Sequence, residues 1–257
     1  MDSNLSYQQV LKEGENLYHP GLSIDCVIFG FHKNELKVLL LKMKYSDKWA
    51  LPGGFVLREE NVEDAAARIL EARTGLEQIF LKQFHLFGDT RRSDSGFNRE
   101  FLEQHGIPYD KDHWLLQRFV TVGYYALVNF ANAVPRPDPL SEACEWKDLQ
   151  QVSLLRHDHN QILDKALETL RQELRYQPIG YNLLPKKFTM RELQKLYETI
   201  LGKKLDRRNF MRKVLSYGIL KKTGEVRTGA AHTSPQLYTF DLARYKQALQ
   251  EGLQKVW

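Results

Sequence analysis

Apolar positions in the first two-thirds of the chain follow two rhythms, one helical and one alternating. Residues 5–17 carry a short helical pattern that stops at His19-Pro20-Gly21. Runs rich in Val, Ile and Leu at 23–31 and 35–42 predict two strands around a turn at 32–34. Pro52-Gly53-Gly54 then marks a tight turn inside Trp49-Ala50-Leu51-Pro52-Gly53-Gly54-Phe55-Val56. Asn61 suits a helix N-cap, apolar residues at 62, 65, 66, 69, 70, 72 and 76 form a core-facing stripe, and Gly75 is the expected stop. A strand is expected at 79–87. Residues 94–117 read as an insertion with a short helix at 98–104, and 118–130 as a long strand. Pro135, Pro137 and Pro139 mark an extended connection before an aromatic-acidic turn at Glu145-Trp146. A closing helix is expected over about 158–175. Tyr176-Gln177-Pro178-Ile179-Gly180 breaks it and divides the chain into domains at 1–177 and 178–257.

The second domain opens with a strong helix start. Thr189 and Glu192 have capping-box spacing, with Phe188 and Leu193 placed as a hydrophobic staple. Leu193, Leu196, Tyr197 and Ile200 repeat at helical spacing up to Gly202, and Asp206 caps a second helix over 207–217. Its apolar members Phe210, Val214 and Leu215 can face the first helix, leaving an arginine-rich outer side. Strands at 219–222 and 237–240 around a long loop form a wing, and a last amphipathic helix begins near Asp241. This is the pattern of a winged helix-turn-helix.

Charge sharpens that reading. Residues 179–257 hold 16 Lys+Arg against 6 Asp+Glu, a net of +10, while the preceding residues hold 21 against 26, a net of −5. A basic exposed helix alone is often only a solvated face, and winged helices also hold proteins. The helix pair, the wing and the local charge coincide here, which points to double-stranded DNA. The expected DNA-contacting residues are Lys187, Thr189, Arg207, Arg208, Asn209, Arg212, Lys213 and Arg227. Arginine reads guanine edges, asparagine reads adenine, and the remaining cations hold phosphates.

Hydrophobic content of 42% and charged content of 27% are those of a globular chain. No apolar run is long enough to span a bilayer, the first residues lack a signal-peptide pattern, and two isolated cysteines, Cys26 and Cys144, fit a reducing compartment. The expected address is the cytoplasm, with no membrane partner.

Gly54, Glu60, Arg68, Gly75 and Leu76 stand at the spacing of a Nudix box, G-x5-E-x7-R-E-U-x-E-E-x-G-U, with U aliphatic. In that family, helix carboxylates at i, i+3 and i+4 converge on divalent cations that activate water against a diphosphate. Those three positions are Ile69, Ala72 and Arg73 in this chain. None offers an oxygen ligand for magnesium, and Arg73 puts a fixed positive charge where the cation would sit. The acids nearby, Glu59, Glu60, Glu63, Asp64 and Glu71, read as helix-end charge for the first four, while Glu71 points elsewhere. No catalytic residue, metal or cofactor is therefore expected. His157-Asp158-His159 lacks metal-ligand spacing and reads as a helix start or an orienting hydrogen bond.

With Pro178-Ile179-Gly180-Tyr181-Asn182-Leu183-Leu184-Pro185 and Asp206-Arg207-Arg208-Asn209-Phe210, the two halves resemble the Nudix-related transcriptional regulators. The resemblance implies an α+β fold, an α/β/α Nudix sandwich with a C-terminal winged helix. It also implies a homodimer on palindromic operator DNA that responds to a small-molecule effector. One branch of the family answers to ADP-ribose, another to arabinose. By position the effector site involves the Pro-Gly-Gly loop, Glu60, Asp89, Arg91, Arg92 and Tyr125. Arginines there could clamp a diphosphate or serve as surface ion pairs, and a sugar-type effector is preferred. The competing reading is a Nudix pyrophosphohydrolase acting on a nucleoside diphosphate derivative. A further rival is a scaffold that holds a protein on its winged helix.

Overall fold

The computed structural model describes residues 7–44, 46–77, 79–92, 95–137, 141–174, 177–228 and 234–252. Its contacts gather into two compact units. One comprises Met1–Phe29, Val38–Leu127 and Asn132–Ala166; the other comprises Gly30–Lys37, Val128–Ala131 and Leu167–Trp257. None of the helices described is long and apolar enough to cross a membrane.

The first unit is built on a seven-stranded sheet. Helix α1 (Tyr7–Leu17) leads directly into β1 (Tyr18–His32), followed by β2 (Glu35–Met43), β3 (Trp49–Ala50) and β4 (Gly53–Leu57). After α2 (Val62–Thr74) come β5 (Leu81–Phe87), α3 (Ser95–Gln104), β6 (Val120–Val128), β7 (Ser141–Asp148) and α4 (His159–Glu173). The strand order is β3-β2-β1-β6-β5, with β4 paired to β1 and β7 paired to β2. Continuous apolar runs in β1 and β6 are buried, as expected of central strands. The β1–β2 turn uses Lys33 and Asn34 at positive φ, 49° and 67°, the conformation that matches the twist of a two-residue hairpin.

Two expectations are corrected. The helix stops before His19-Pro20-Gly21 as expected, but β1 starts at Tyr18 rather than at 23 and runs through these residues, because a register irregularity between Tyr18 and Ser23, with Gly21 at φ 68°, absorbs the proline and glycine. Glu145-Trp146 is not a turn but the middle of β7. That strand alternates weakly because, apart from Ser141, its residues are half-buried or exposed, so no core pattern was imposed on it. The insertion folds onto α1: Trp114 donates its indole N–H to the Leu11 carbonyl at 3.2 Å and packs with Val10, Tyr18 and Phe119.

In the second unit, β8 (Phe188–Thr189), α5 (Met190–Leu201), α6 (Arg207–Ser216), β9 (Leu220–Val226), β10 (Gln236–Phe240) and α7 (Leu242–Glu251) form a winged helix with sheet order β8-β10-β9. The capping box is present on both sides: the Glu192 amide donates to Thr189 Oγ1 at 3.2 Å, and the Thr189 amide donates to Glu192 Oε2 at 2.7 Å. Gly202 ends α5 in the left-handed region. The core is Phe188, Leu193, Leu196, Ile200, Phe210, Val214, Leu237 and Phe240, with the Phe188 and Phe240 rings 4.9 Å apart. Strand β9 continues to Val226, four residues farther than its apolar pattern indicates, because the ladder with β10 extends to Gln236↔Val226. Leu215, expected against the first helix, is 40% exposed.

Candidate functional site

Helix α2 keeps the frame of a Nudix box without its metal ligands. Asn61 precedes the first turn, its side chain donating to Asp64 Oδ2 at 2.9 Å, and Gly75 ends the helix at φ 67°. Arg68 clamps the loop before the helix, donating from Nε to Glu60 Oε1 at 2.7 Å, from Nη2 to Glu60 Oε2 at 2.6 Å, and to the Phe55 carbonyl at 3.0 Å. Glu60 Oε2 also accepts from the Leu57 amide at 3.1 Å. Burial pushes the Glu60 carboxyl up, but Arg68 and the amide outweigh it and hold it below the usual carboxylate range.

On the face where the family's carboxylates converge, Ile69 is fully buried, and a Cβ at Gly54 would stand 3.0 Å from its Cδ1. Ala72 follows, and Arg73 is 5% exposed. This donor set does not fit a divalent cation, which needs several oxygen ligands. Among the described residues no group of three or more His, Cys, Asp or Glu is disposed to hold a metal.

Two cavities share lining residues, and the first reaches this helix through Arg73. One, of about 220 Å³, is mainly apolar: Phe55, Phe101, Trp114 and Phe119 line it together with Gly53, Gly54, Asp25 and Arg73. The other, of about 500 Å³, is polar, lined by Ser46, Lys48, Asp89, Arg91, Asp158 and Gln161 among others. Arg92, Arg156 and His157 line both.

Behind the shared wall lies a buried ionic cluster. Arg92 donates to Asp158 from Nε and Nη2 at 2.9 and 3.2 Å and to the Phe119 carbonyl at 3.0 Å, and its Nη2 lies 3.4 Å from Asp25 Oδ2. His159 Nδ1 accepts the Leu51 amide at 2.9 Å, which places its proton on Nε2, 3.5 Å from Asp25 Oδ1. His159 thus makes the orienting hydrogen bond expected of the triplet. Burial drives it down to about 3, so it is neutral at physiological pH. Burial also pushes the Asp25 carboxyl up, and Arg92 only partly offsets this.

The residues expected around the effector are thus distributed. Asp89, Arg91 and Arg92 line the polar cavity, with Asp89 accepting from the Arg91 amide at 2.8 Å. Glu60 is committed to Arg68, and Tyr125 is fully buried with its ring 6.0 Å from Phe80; neither lines these two cavities. Sequence reasoning missed Asp25, Arg73, Arg156 and Trp114 as lining residues. Asp25 carried a signal, a carboxylate inside the otherwise apolar run of β1, whereas Trp114 and Arg156 are brought in by folding alone.

The residues expected to meet DNA fall on α6, around β8 and in the wing. Arg207, Arg208, Asn209 and Arg212 are exposed, and Arg212 Nη2 donates to Asn209 Oδ1 at 3.0 Å. Lys213 is half-buried, and desolvation lowers it to about 8. Thr189 is buried, its hydroxyl committed to the helix cap. Lys187 pairs with Glu225 at 2.6 Å and Arg227 with Glu192 at 2.6 Å. Met211 and Leu215 add exposed apolar surface to the same helix.

Comparison with known proteins agrees with both halves. Residues 19–170 match the NUDIX domain, and residues 180–240 match the NrtR DNA-binding winged helix domain. The chain is 32% identical over 233 residues to the ADPR responsive transcriptional repressor NtrR of Acinetobacter baylyi, covering 88% of this chain and 84% of that protein. The crystal structure of Shewanella oneidensis NrtR superposes with a TM-score of 0.69 at 28% identity, covering 88% of this chain and 96% of that one. The same Shewanella protein complexed with a 27mer DNA gives 0.67 at 27% identity, covering 88% and 95%. The chain belongs to the Nudix family, in the branch of transcriptional regulators that joins a Nudix domain to an NrtR-type DNA-binding winged helix.

Proposed function

We propose that this protein is a transcriptional repressor that binds operator DNA as a homodimer and is controlled by ADP-ribose or a close nucleotide relative. The observation that carries the reading is the union, in one chain, of an NrtR-type winged helix with a Nudix helix bearing Ile69, Ala72 and Arg73 at its cation-holding positions. Residues 1–177 serve as the effector domain and 178–257 as the DNA-binding domain, and the protein works in the cytoplasm.

The preference for a sugar-type effector gives way to ADP-ribose, because the Acinetobacter relative is ADPR responsive. The chemistry of the cavities supports the change. An aromatic-lined apolar cavity suits a flat base, and the adjoining guanidinium-rich cavity suits a diphosphate. In this reading Glu60 shapes the loop, while Arg91 and Arg156 face the ligand.

The effector acts only through a preference for one conformational state, so it must bind the DNA-free form more tightly or less tightly than the DNA-bound form. Footprinting of the full chain on the DNA upstream of its own gene, with and without ADP-ribose, tests the proposal. A two-fold symmetric footprint that ADP-ribose alters, with a dimeric mass in solution, is expected. Magnesium-dependent hydrolysis of ADP-ribose well above a mock preparation, with no footprint, would restore the pyrophosphohydrolase reading.

A further inference from the structure

Arg92, Arg156 and His157 line both cavities. Arg92 is committed to Asp158 and the Phe119 carbonyl, and Arg156 donates to Asn98 Oδ1 at 3.3 Å. His157 differs from both in backbone and in chemistry. Its φ is 52°, in the left-handed region that residues with a Cβ seldom adopt. The chain on either side is pinned. The Leu155 amide donates to Asn160 Oδ1 at 2.7 Å, the Arg156 amide to the Trp49 carbonyl at 2.9 Å, and the His159 amide to the Arg156 carbonyl at 3.1 Å. Those bonds hold the bend whatever side chain stands at 157, and a glycine would fill it without strain. A strained non-glycine residue in a cavity wall is therefore there for its side chain, as strained residues at ligand clamps are.

That side chain is exposed, and among the described residues neither of its ring nitrogens makes a hydrogen bond; its ring contact is with His159, 5.9 Å between centroids. The ring is nevertheless enclosed enough for desolvation, and after it the charge of Arg156, to lower it to about 3, so it is neutral at physiological pH. Accessible surface in enclosed surroundings belongs to the wall of a concave site. A neutral imidazole carries one donor and one acceptor nitrogen. It is no counter-ion for a phosphate, but it matches a hydroxyl, which also both donates and accepts. With a base in the aromatic cavity and a diphosphate among the guanidiniums, the group that joins them in a nucleoside diphosphate is a ribose.

We propose that His157 is a specificity-determining residue of the effector site, its ring hydrogen-bonding a hydroxyl of the ribose that joins base to diphosphate. The inference rests on the assignment of ADP-ribose as effector.

The test is calorimetric titration of the full chain with ADP-ribose and with its 2′-deoxy and 3′-deoxy analogues on the adenosine side, for the wild type, His157→Gly and His157→Asn. The wild type should bind ADP-ribose about 10-fold more tightly than at least one analogue, the value of one hydrogen bond. His157→Gly should melt no lower than the wild type, bind ADP-ribose about 10-fold more weakly, and no longer separate it from the analogues. His157→Asn tolerates the same backbone and keeps a donor and an acceptor, so it should retain part of the discrimination. A wild type that binds all three ligands equally overturns the proposal and leaves the effector assignment standing. A His157→Gly that weakens all three by one factor, binds like the wild type, or melts well below it also overturns the proposal. If the wild type does not bind ADP-ribose at all, the effector assignment fails and this inference falls with it.

Discussion

The clamp between Glu60 and Arg68 gives the most direct test of what the retained part of the box does. Its two side chains are 12% and 22% exposed and share two hydrogen bonds of 2.6 and 2.7 Å. Glu60 holds the Leu57 amide and Arg68 holds the Phe55 carbonyl, so the pair fixes the loop that ends at the first turn of α2. Exposed pairs contribute about 0–1 kcal/mol, while breaking a buried pair costs about 3–5 kcal/mol. This half-buried bidentate case lies between them. Glu60→Gln and Arg68→Met should each cost about 2–3 kcal/mol, because each strands the other charge. The double variant strands neither and should cost clearly less than the sum, with a coupling of about 1.5–3 kcal/mol.

The assay is urea denaturation followed by tryptophan fluorescence. Trp49, Trp114 and Trp146 all lie in the first unit, so they report on the part that carries the clamp. The sign in acid follows from the depressed Glu60 carboxyl. Its stabilisation is complete above the ordinary glutamate range and is lost as pH falls through the lowered folded-state value, so the gap between wild type and Glu60→Gln must close on acidification. A coupling below about 0.5 kcal/mol, the usual scatter of additivity, would refute the clamp and return Glu60 to the list of effector contacts.

Other outcomes follow from single contacts. Gly14→Ala drives a Cβ into the Trp114 indole ring, so the usual helix gain of about 1 kcal/mol for alanine should become a net loss of roughly 1–2 kcal/mol by thermal melting; a raised melting temperature would contradict the packing of the insertion on α1. His159 stays neutral in the fold down to about pH 3. The unfolded chain takes up that proton near its ordinary value of about 6.5, so this group should remove ~2 kcal/mol of stability between pH 7 and 5. His159→Gln should flatten that slope, and an unchanged slope removes His159 as its source. Arg208→Ala should weaken operator binding by about 10- to 100-fold in a gel-shift titration, and unchanged affinity would take it off the recognition surface. Leu215, exposed on the same helix, should meet a thymine methyl; replacing thymines by uracils in the bound site should weaken the wild type but not Leu215→Ala.

What could be read from the chain alone was what depends on short offsets. The spacing from Gly54 to Gly75, the loss of the helix acids at 69, 72 and 73, and the Thr189–Glu192 cap are all set within a few turns of one helix. They needed no tertiary knowledge. The same holds for the arginine-rich α6 and the local excess of positive charge. Strand β7 escaped notice because its pairing with β2 demands no apolar alternation, and the path of β1 through Pro20-Gly21 escaped because a bulge cannot be seen in composition.

Only the tertiary structure decided which residues share the cavity walls. Asp25, Arg92 and Asp158 are joined across 66 and 67 positions of sequence, and Trp114 reaches Leu11 across 103. It also showed that Glu60, Tyr125 and Thr189 are spent on clamp, core and cap. Local hydrogen-bond geometry follows from neighbours along the chain, whereas burial and the meeting of distant charges follow from how the sheet and the inserted segment pack. That packing turned Arg73 from a missing ligand into part of a cavity wall.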